Sequence, residues 1–95
     1  MKPSVPPDLL LALARLDDPH AIERALQDLL ADSELRSIRE RWAIVKLLRE
    51  GLPQRAVRDA VGCSIATVSR GAALVRDGGL AVLFDALSPS EEEAR

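Results

Sequence analysis

Residues Gly51 to Val75 read GLPQRAVRDAVGCSIATVSRGAALV, and this stretch decides the fold. Gly51 and Pro53 end one helix and begin another, because Gly tolerates the position just past a helix and Pro is pre-set for the first helical turn. The first short helix is expected over Pro53–Val61. Its apolar residues Ala56, Val57, Ala60 and Val61 fall on one face of a 3.6-residue period. Gly62-Cys63-Ser64 makes the corner, with Gly62 as C-cap and Ser64 as N-cap of a second helix that starts at Ile65. A three-residue corner of this kind is what a helix-turn-helix uses. On a helical wheel Val68, Gly71, Ala72 and Val75 fall inside, and Ala66, Ser69, Arg70 and Ala73 fall outside. The outer side is small and polar, which suits close approach to another surface. Small residues let a helix sit deep in a major groove while Ser and Thr reach base edges or phosphates. An ordinary helical hairpin in a bundle is the plainer alternative.

Around this stretch the chain is small: 95 residues, 47% apolar, with one Phe and one Trp. That bounds it to one domain with a thin aliphatic core, for which oligomerisation is a natural way to bury more surface. One Cys, Cys63, excludes an intrachain disulfide and a Cys cluster for zinc, and one His, His20, disfavours a His-based metal site. No apolar run approaches the roughly 20 residues of a membrane span, and MKPSVPP lacks the apolar core of a signal peptide, so a cytoplasmic location is expected.

The net charge of −2 is unevenly spread. Residues 1–33 hold three basic and six acidic side chains, a net −3. Residues 34–76 hold nine basic and four acidic, a net +5, and residues 77–95 hold one basic and five acidic, a net −4. Positive charge thus gathers on the segment holding the helix-turn-helix, where phosphate neutralisation needs it.

In chain order, residues 1–7 carry three prolines and read as a flexible arm. A helical domain follows over 8–87, with the helix-turn-helix at about 53–75. Asp8 is expected to cap a first helix, Leu9–Leu16, apolar nearly all round and so in want of partners on more than one side. Asp18 and Pro19 start a second helix, Pro19–Ala31, with Ile22, Leu26, Leu29 and Leu30 as its inner stripe and His20 in its solvated first turn. Asp32 or Ser33 caps a third, Ser33–Glu50, with Leu35, Ile38, Trp42, Val45 and Leu47 or Leu48 inward and Ala43 and Ile44 widening the stripe. Trp42 reads as core, with a ligand-stacking platform as the alternative. After the second reading helix, Gly78-Gly79 leads to a last helix, Leu80–Leu87, and residues 88–95 form an acidic tail.

With six helices, a long third one and this motif in hand, the segment from about Leu30 to Leu87 resembles the tryptophan repressor family, most of all in LLREGLPQRAVRDAVG and SIATVSRG. A generic helix-turn-helix usually carries Ala where Arg58 stands, and a basic residue there is similar to the repressor family. The N-terminal third matches only in helical pattern. The replication-initiator DNA-binding domain is a more distant relative, and its longer basic loop is missing here.

The resemblance implies an all-α, six-helix, intertwined homodimer. Its two reading heads would enter successive major grooves of double-stranded DNA, about 34 Å apart. Carried over by position, Gln54, Arg55 and Arg58 would touch phosphates or outer base edges, and Ser64, Ile65, Ala66, Thr67 and Ser69 would face the groove. The family's ligand site departs from the pattern. It sandwiches an indole between two arginines, of which Arg70, followed by the matching Gly71, is present. The third-helix partner is Glu40, and a serine expected three residues after Gly71 is Leu74. Glu40 and Arg70 could pair and fill the pocket, whereas a carboxylate does not stack on an indole as a guanidinium does. No tight L-tryptophan binding is expected, leaving either another small effector at Glu40, Arg70, Gly71 and Leu74 or DNA binding without one.

The expected function is a DNA-binding transcriptional regulator, most simply a repressor on a palindromic operator. A protein-interaction module using the same helical surface is the alternative, distinguished by salt-insensitive binding. An enzyme fares worst, since one His, one Cys, no glycine-rich phosphate loop and no acidic pair at metal spacing leave no catalytic constellation. Cys63, in the turn beside a helix N-terminus, reads as a small buried turn residue, with a redox-sensitive thiol as the alternative.

Overall fold

In the computed structural model, which describes residues 2–88, the chain is all-α. Six helices follow one another: α1 Pro7–Ala14, α2 Pro19–Leu29, α3 Asp32–Arg49, α4 Gln54–Val61, α5 Ile65–Arg76 and α6 Ala81–Leu87. The chain forms two compact units, and the boundary between Ser37 and Ile38 falls within α3. The expected acidic tail lies, apart from Ser88, outside the described residues.

In the first unit α1 begins two residues earlier than expected, at Pro7, and ends at Ala14. Proline at the first helical position lacks only an N–H that would have no partner there. Asp8 is therefore not the N-cap: it sits in the first turn and accepts from the Leu9 N–H at 3.0 Å. Asp18 does cap α2, accepting from His20 N–H at 3.2 Å, with Pro19 next. His20 is exposed. No residue of α1 or α2 is buried; Leu10 and Leu11 are each 51% exposed, and Ile22 and Leu29 lie open as well.

The start of α3 corrects another expectation. Neither Asp32 nor Ser33 caps it; both are helical, and Glu34 reaches back to accept from Ala31 N–H at 2.7 Å. This is the returning half of a capping box, available because the carboxylate stands three residues past the cap.

The second unit is built on α3, α4 and α5, each of which contributes one inaccessible side chain to a common cluster: Ile44, Val57 and Val68. Leu47, Leu48, Leu52, Val61 and Cys63 surround it. Val45 is buried too. Ile44, expected only to widen the α3 stripe, is thus the α3 member of the common cluster, while Ile38 is exposed. On α4, Ala60 is exposed although it lies at the edge of the apolar face.

Glycines punctuate this unit. At the end of α3, Gly51 has φ +94°; its N–H donates to Leu48 C=O at 3.0 Å, and the Leu52 N–H donates to Leu47 C=O at 3.2 Å. The end of α5 repeats the pattern, with Gly78 at φ +74° donating to Val75 and Gly79 donating to Leu74 at 2.8 Å. Both are Schellman closures, which satisfy the last carbonyls through a left-handed residue that glycine adopts without a Cβ penalty. Leu80, at φ +65°, continues the turn into α6.

The Phe84 side chain fixes α6. Its ring stacks on Trp42 of α3, centroids 4.6 Å apart and planes 7° from parallel, and the Arg49 guanidinium carbon lies 4.2 Å from the Phe84 centroid. Trp42 covers one face of the ring, so Arg49, two helical turns further along α3, takes the other. Trp42 is accordingly a half-buried docking surface for α6 rather than part of the inaccessible cluster.

Candidate nucleic-acid interface

Helices α4 and α5 pack on each other through the corner Gly62-Cys63-Ser64. Gly62 closes α4 in the left-handed region at φ +79°, its N–H donating to Arg58 C=O at 2.8 Å. Ser64 opens α5: its Oγ accepts from Thr67 N–H at 3.1 Å and lies 2.8 Å from Thr67 Oγ1. Such a cap orients the first turn of α5, whose remaining N–H groups and dipole favour an anion.

The two sides of α5 separate as its sequence predicts. Val68 and Gly71 are buried, and Ala72 and Val75 half-buried. Ile65, Ala66, Ser69 and Arg70 are exposed and form one stripe, at i, i+1, i+4 and i+5. Ala73, expected on the outer side, is half-buried. A Cβ on Gly71 would meet Ile44 Cγ2 at 2.5 Å and Leu48 Cδ1 at 3.6 Å, so the absent side chain lets α5 cross close over α3.

From α4, Gln54 and Arg55 are exposed and Arg58 is half-buried. Two polar contacts at this surface escape a reading based on periodicity alone. Arg58 Nε donates to Asp59 Oδ1 at 3.0 Å, the one ion pair among the described residues. Ser69 Oγ donates to Gln54 Oε1 at 3.1 Å, joining the first residue of α4 to the middle of α5. With the corner placed, the fifteen-residue separation of Gln54 and Ser69 made their meeting foreseeable; the Arg58–Asp59 contact is between chain neighbours.

The other group of residues singled out by the sequence is less closely tied. Glu40 and Arg70 are exposed and make no ion pair, so the expected pairing that would fill the pocket does not form. Two hydrated side chains gain only about 0–1 kcal/mol by pairing, too little to fix long chains in one geometry. Gly71 is buried under Ile44, and Leu74 is half-buried.

An exposed, slender helix set across a capped corner from a second helix, with arginines beside it, defines the helix-turn-helix class of DNA-binding modules. The family model described as Trp repressor protein matches residues 7–92. The chain therefore belongs to the Trp repressor family, a family of helix-turn-helix regulators of transcription. No curated protein and no solved structure matched. No helix of the described residues is long and apolar enough to cross a membrane, and no group of three or more His, Cys, Asp or Glu among them is placed to hold a metal ion.

Proposed function

We propose that this protein binds a palindromic DNA operator as a homodimer, inserting one α5 into each of two successive major grooves, and represses transcription from the cytoplasm. The observation that carries this reading is the exposed stripe Ile65, Ala66, Ser69 and Arg70, opposite the buried Val68 and Gly71. Ala66 leaves room for the helix to sink into the groove, and Ile65, 43% exposed, offers apolar contact of the kind a thymine methyl accepts. Ser64 and Ser69 are exposed beside it, and Thr67, half-buried behind the Ser64 cap, would reach the groove from the edge of the helix. Arg55, Arg58 and Arg70 supply cations for phosphates, and Gln54 a neutral hydrogen-bonding group.

The homodimer rests on exposed aliphatic side chains. Leu10, Leu11, Ile22 and Leu29 leave the first unit without an inaccessible residue, and Val82 and Leu87 leave α6 open as well. A second copy interleaving its helices covers such faces, and a twofold pair of reading heads matches a palindrome. The domain would span 8–87, preceded by an arm and followed by the acidic tail.

We place no tight L-tryptophan site on the chain. Glu40 stands where an arginine would stack on the indole, and Leu74 replaces a serine hydroxyl. An effector, where one acts, would meet Glu40, Arg70, Gly71 and Leu74. The decisive experiment is selection of bound duplexes from random DNA, with and without a metabolite pool. An enriched palindrome supports the reading; no enrichment under either condition overturns it.

A further inference from the structure

The hydroxyl of Ser69 has one proton, and it is given to Gln54 Oε1 at 3.1 Å. A phosphate oxygen only accepts hydrogen bonds, so Ser69 has nothing left to offer one while this bond stands. The same bond sets the polarity of Gln54. Its carbonyl end is held toward α5, and the opposite end of the planar amide carries two N–H donors that accept no such constraint. Both residues are exposed, so in the free protein the bond competes with water and is weak. Displacing that water at a DNA surface strengthens it, because local dielectric falls and hydrogen bonds in a chain polarise one another.

We infer that Ser69 acts on DNA through Gln54, as a positioning residue that presents the Gln54 amide as a hydrogen-bond donor to an acceptor on the duplex. The acceptor is a phosphate oxygen, or a base acceptor such as guanine O6 or thymine O4. This rests on the DNA-binding reading above and divides the labour differently: Ser69 is withdrawn as a donor to DNA and Gln54 gains a defined chemical sense.

The test measures affinity for a duplex selected by the intact protein, using Ser69→Ala, Ser69→Thr, Gln54→Ala, Gln54→Glu and the Ser69→Ala, Gln54→Ala double variant. Ser69→Ala should weaken binding about threefold to tenfold, the range a single hydrogen bond covers, and Ser69→Thr should restore it. The double variant should bind no worse than Gln54→Ala alone. Gln54→Glu, which replaces the donor by a negative oxygen, should bind worse than Gln54→Ala. A loss shared by all sequences marks phosphate as the acceptor, and a loss confined to one position of the site marks a base; the inference holds in both cases. Fully additive losses, or Gln54→Glu binding like the parent, would overturn it while leaving the DNA-binding reading intact. Failure of the parent to hold any duplex sinks that reading first. In the free protein, the side-chain amide resonances of Gln54 should move in Ser69→Ala and return in Ser69→Thr; unmoved resonances also overturn the inference.

Discussion

Gly71 and Ile44 meet so closely that a Cβ on the glycine would stand 2.5 Å from the Cγ2 methyl of the isoleucine. That methyl cannot swing aside: Ile44 is 1% exposed and its branched side chain is stiff in a helix. Gly71→Ala gains about 1 kcal/mol of helix propensity and meets an overpacking cost of about 1–3 kcal/mol, so overpacking wins. The expected outcome is a net loss of up to about 2 kcal/mol, read as a lower urea midpoint at unchanged slope. A variant as stable as the parent would mean that α5 does not cross α3 here.

Ser64 is the cap of α5 and, in the proposed function, also a neighbour of DNA. Ser64→Ala removes the acceptor of the Thr67 N–H and should cost about 0.5–2 kcal/mol of stability. Ser64→Asp keeps the cap and adds a charge that the helix N-terminus favours and a phosphate repels. It should unfold like the parent and bind DNA much more weakly. Equal DNA affinity for the two proteins would remove Ser64 from the interface.

The ion pair of Arg58 with Asp59 is open to water, the side chains being 40% and 70% exposed. It holds Arg58 too weakly to keep it from phosphate, at about 0–1 kcal/mol. Asp59→Asn should therefore raise affinity by no more than about fivefold at low salt. Arg58→Ala should weaken binding to all sequences and flatten the log-affinity against log-salt slope by about 0.9. An unchanged slope places Arg58 away from the DNA strands.

Trp42 is the sole tryptophan, so its emission and near-ultraviolet dichroism report on its own surroundings, of which the Phe84 stack is a part. Phe84→Leu keeps much of the apolar area but loses ring stacking and the Arg49 contact, together about 1–2 kcal/mol. Stability should fall by that amount, and the dichroic signal of Trp42 should collapse with it. Retention of the signal would show that α6 is docked by something else.

Calorimetry with L-tryptophan should register no binding in the micromolar range. The departure at Glu40 is tested by Glu40→Arg, which restores a guanidinium opposite Arg70 and should gain measurable affinity when combined with Leu74→Ser. Micromolar binding by the parent chain would reverse the assignment.

The helix-turn-helix was legible because its punctuation is chemical. Gly62 needs the left-handed region, and Ser64 offers a short acceptor one residue before the first helical turn. Helix ends defined by side-chain reach were harder: a capping bond from Glu34 to Ala31 looks, in one dimension, like any Asp-Ser-Glu start. Periodicity found the inward face of α3, Val45 included, but set Ile44 at its edge, since the two differ by about 100° and only the crossing of α5 at Gly71 brings Ile44 into the shared cluster. The Trp42, Phe84 and Arg49 stack had no local signal at all, because its members are brought together by the turn through Gly78 and Leu80. At the candidate interface, residue types, exposure and the Ser64 cap were legible, and the meeting of Ser69 with Gln54 follows once the corner is placed, whereas the contact of Arg58 with its neighbour Asp59 had no signal.

The cluster of Ile44, Val57 and Val68 draws a single side chain from each of three helices. Detaching any one of them strips cover from the other two, so fraying of α5 is coupled to loss of its support. Amide protons at the middle of α5 should consequently exchange with deuterium at the same rate as those flanking Ile44, as one cooperative block. Rigidity of α5 is thus inherited from the whole trio rather than from its own short length.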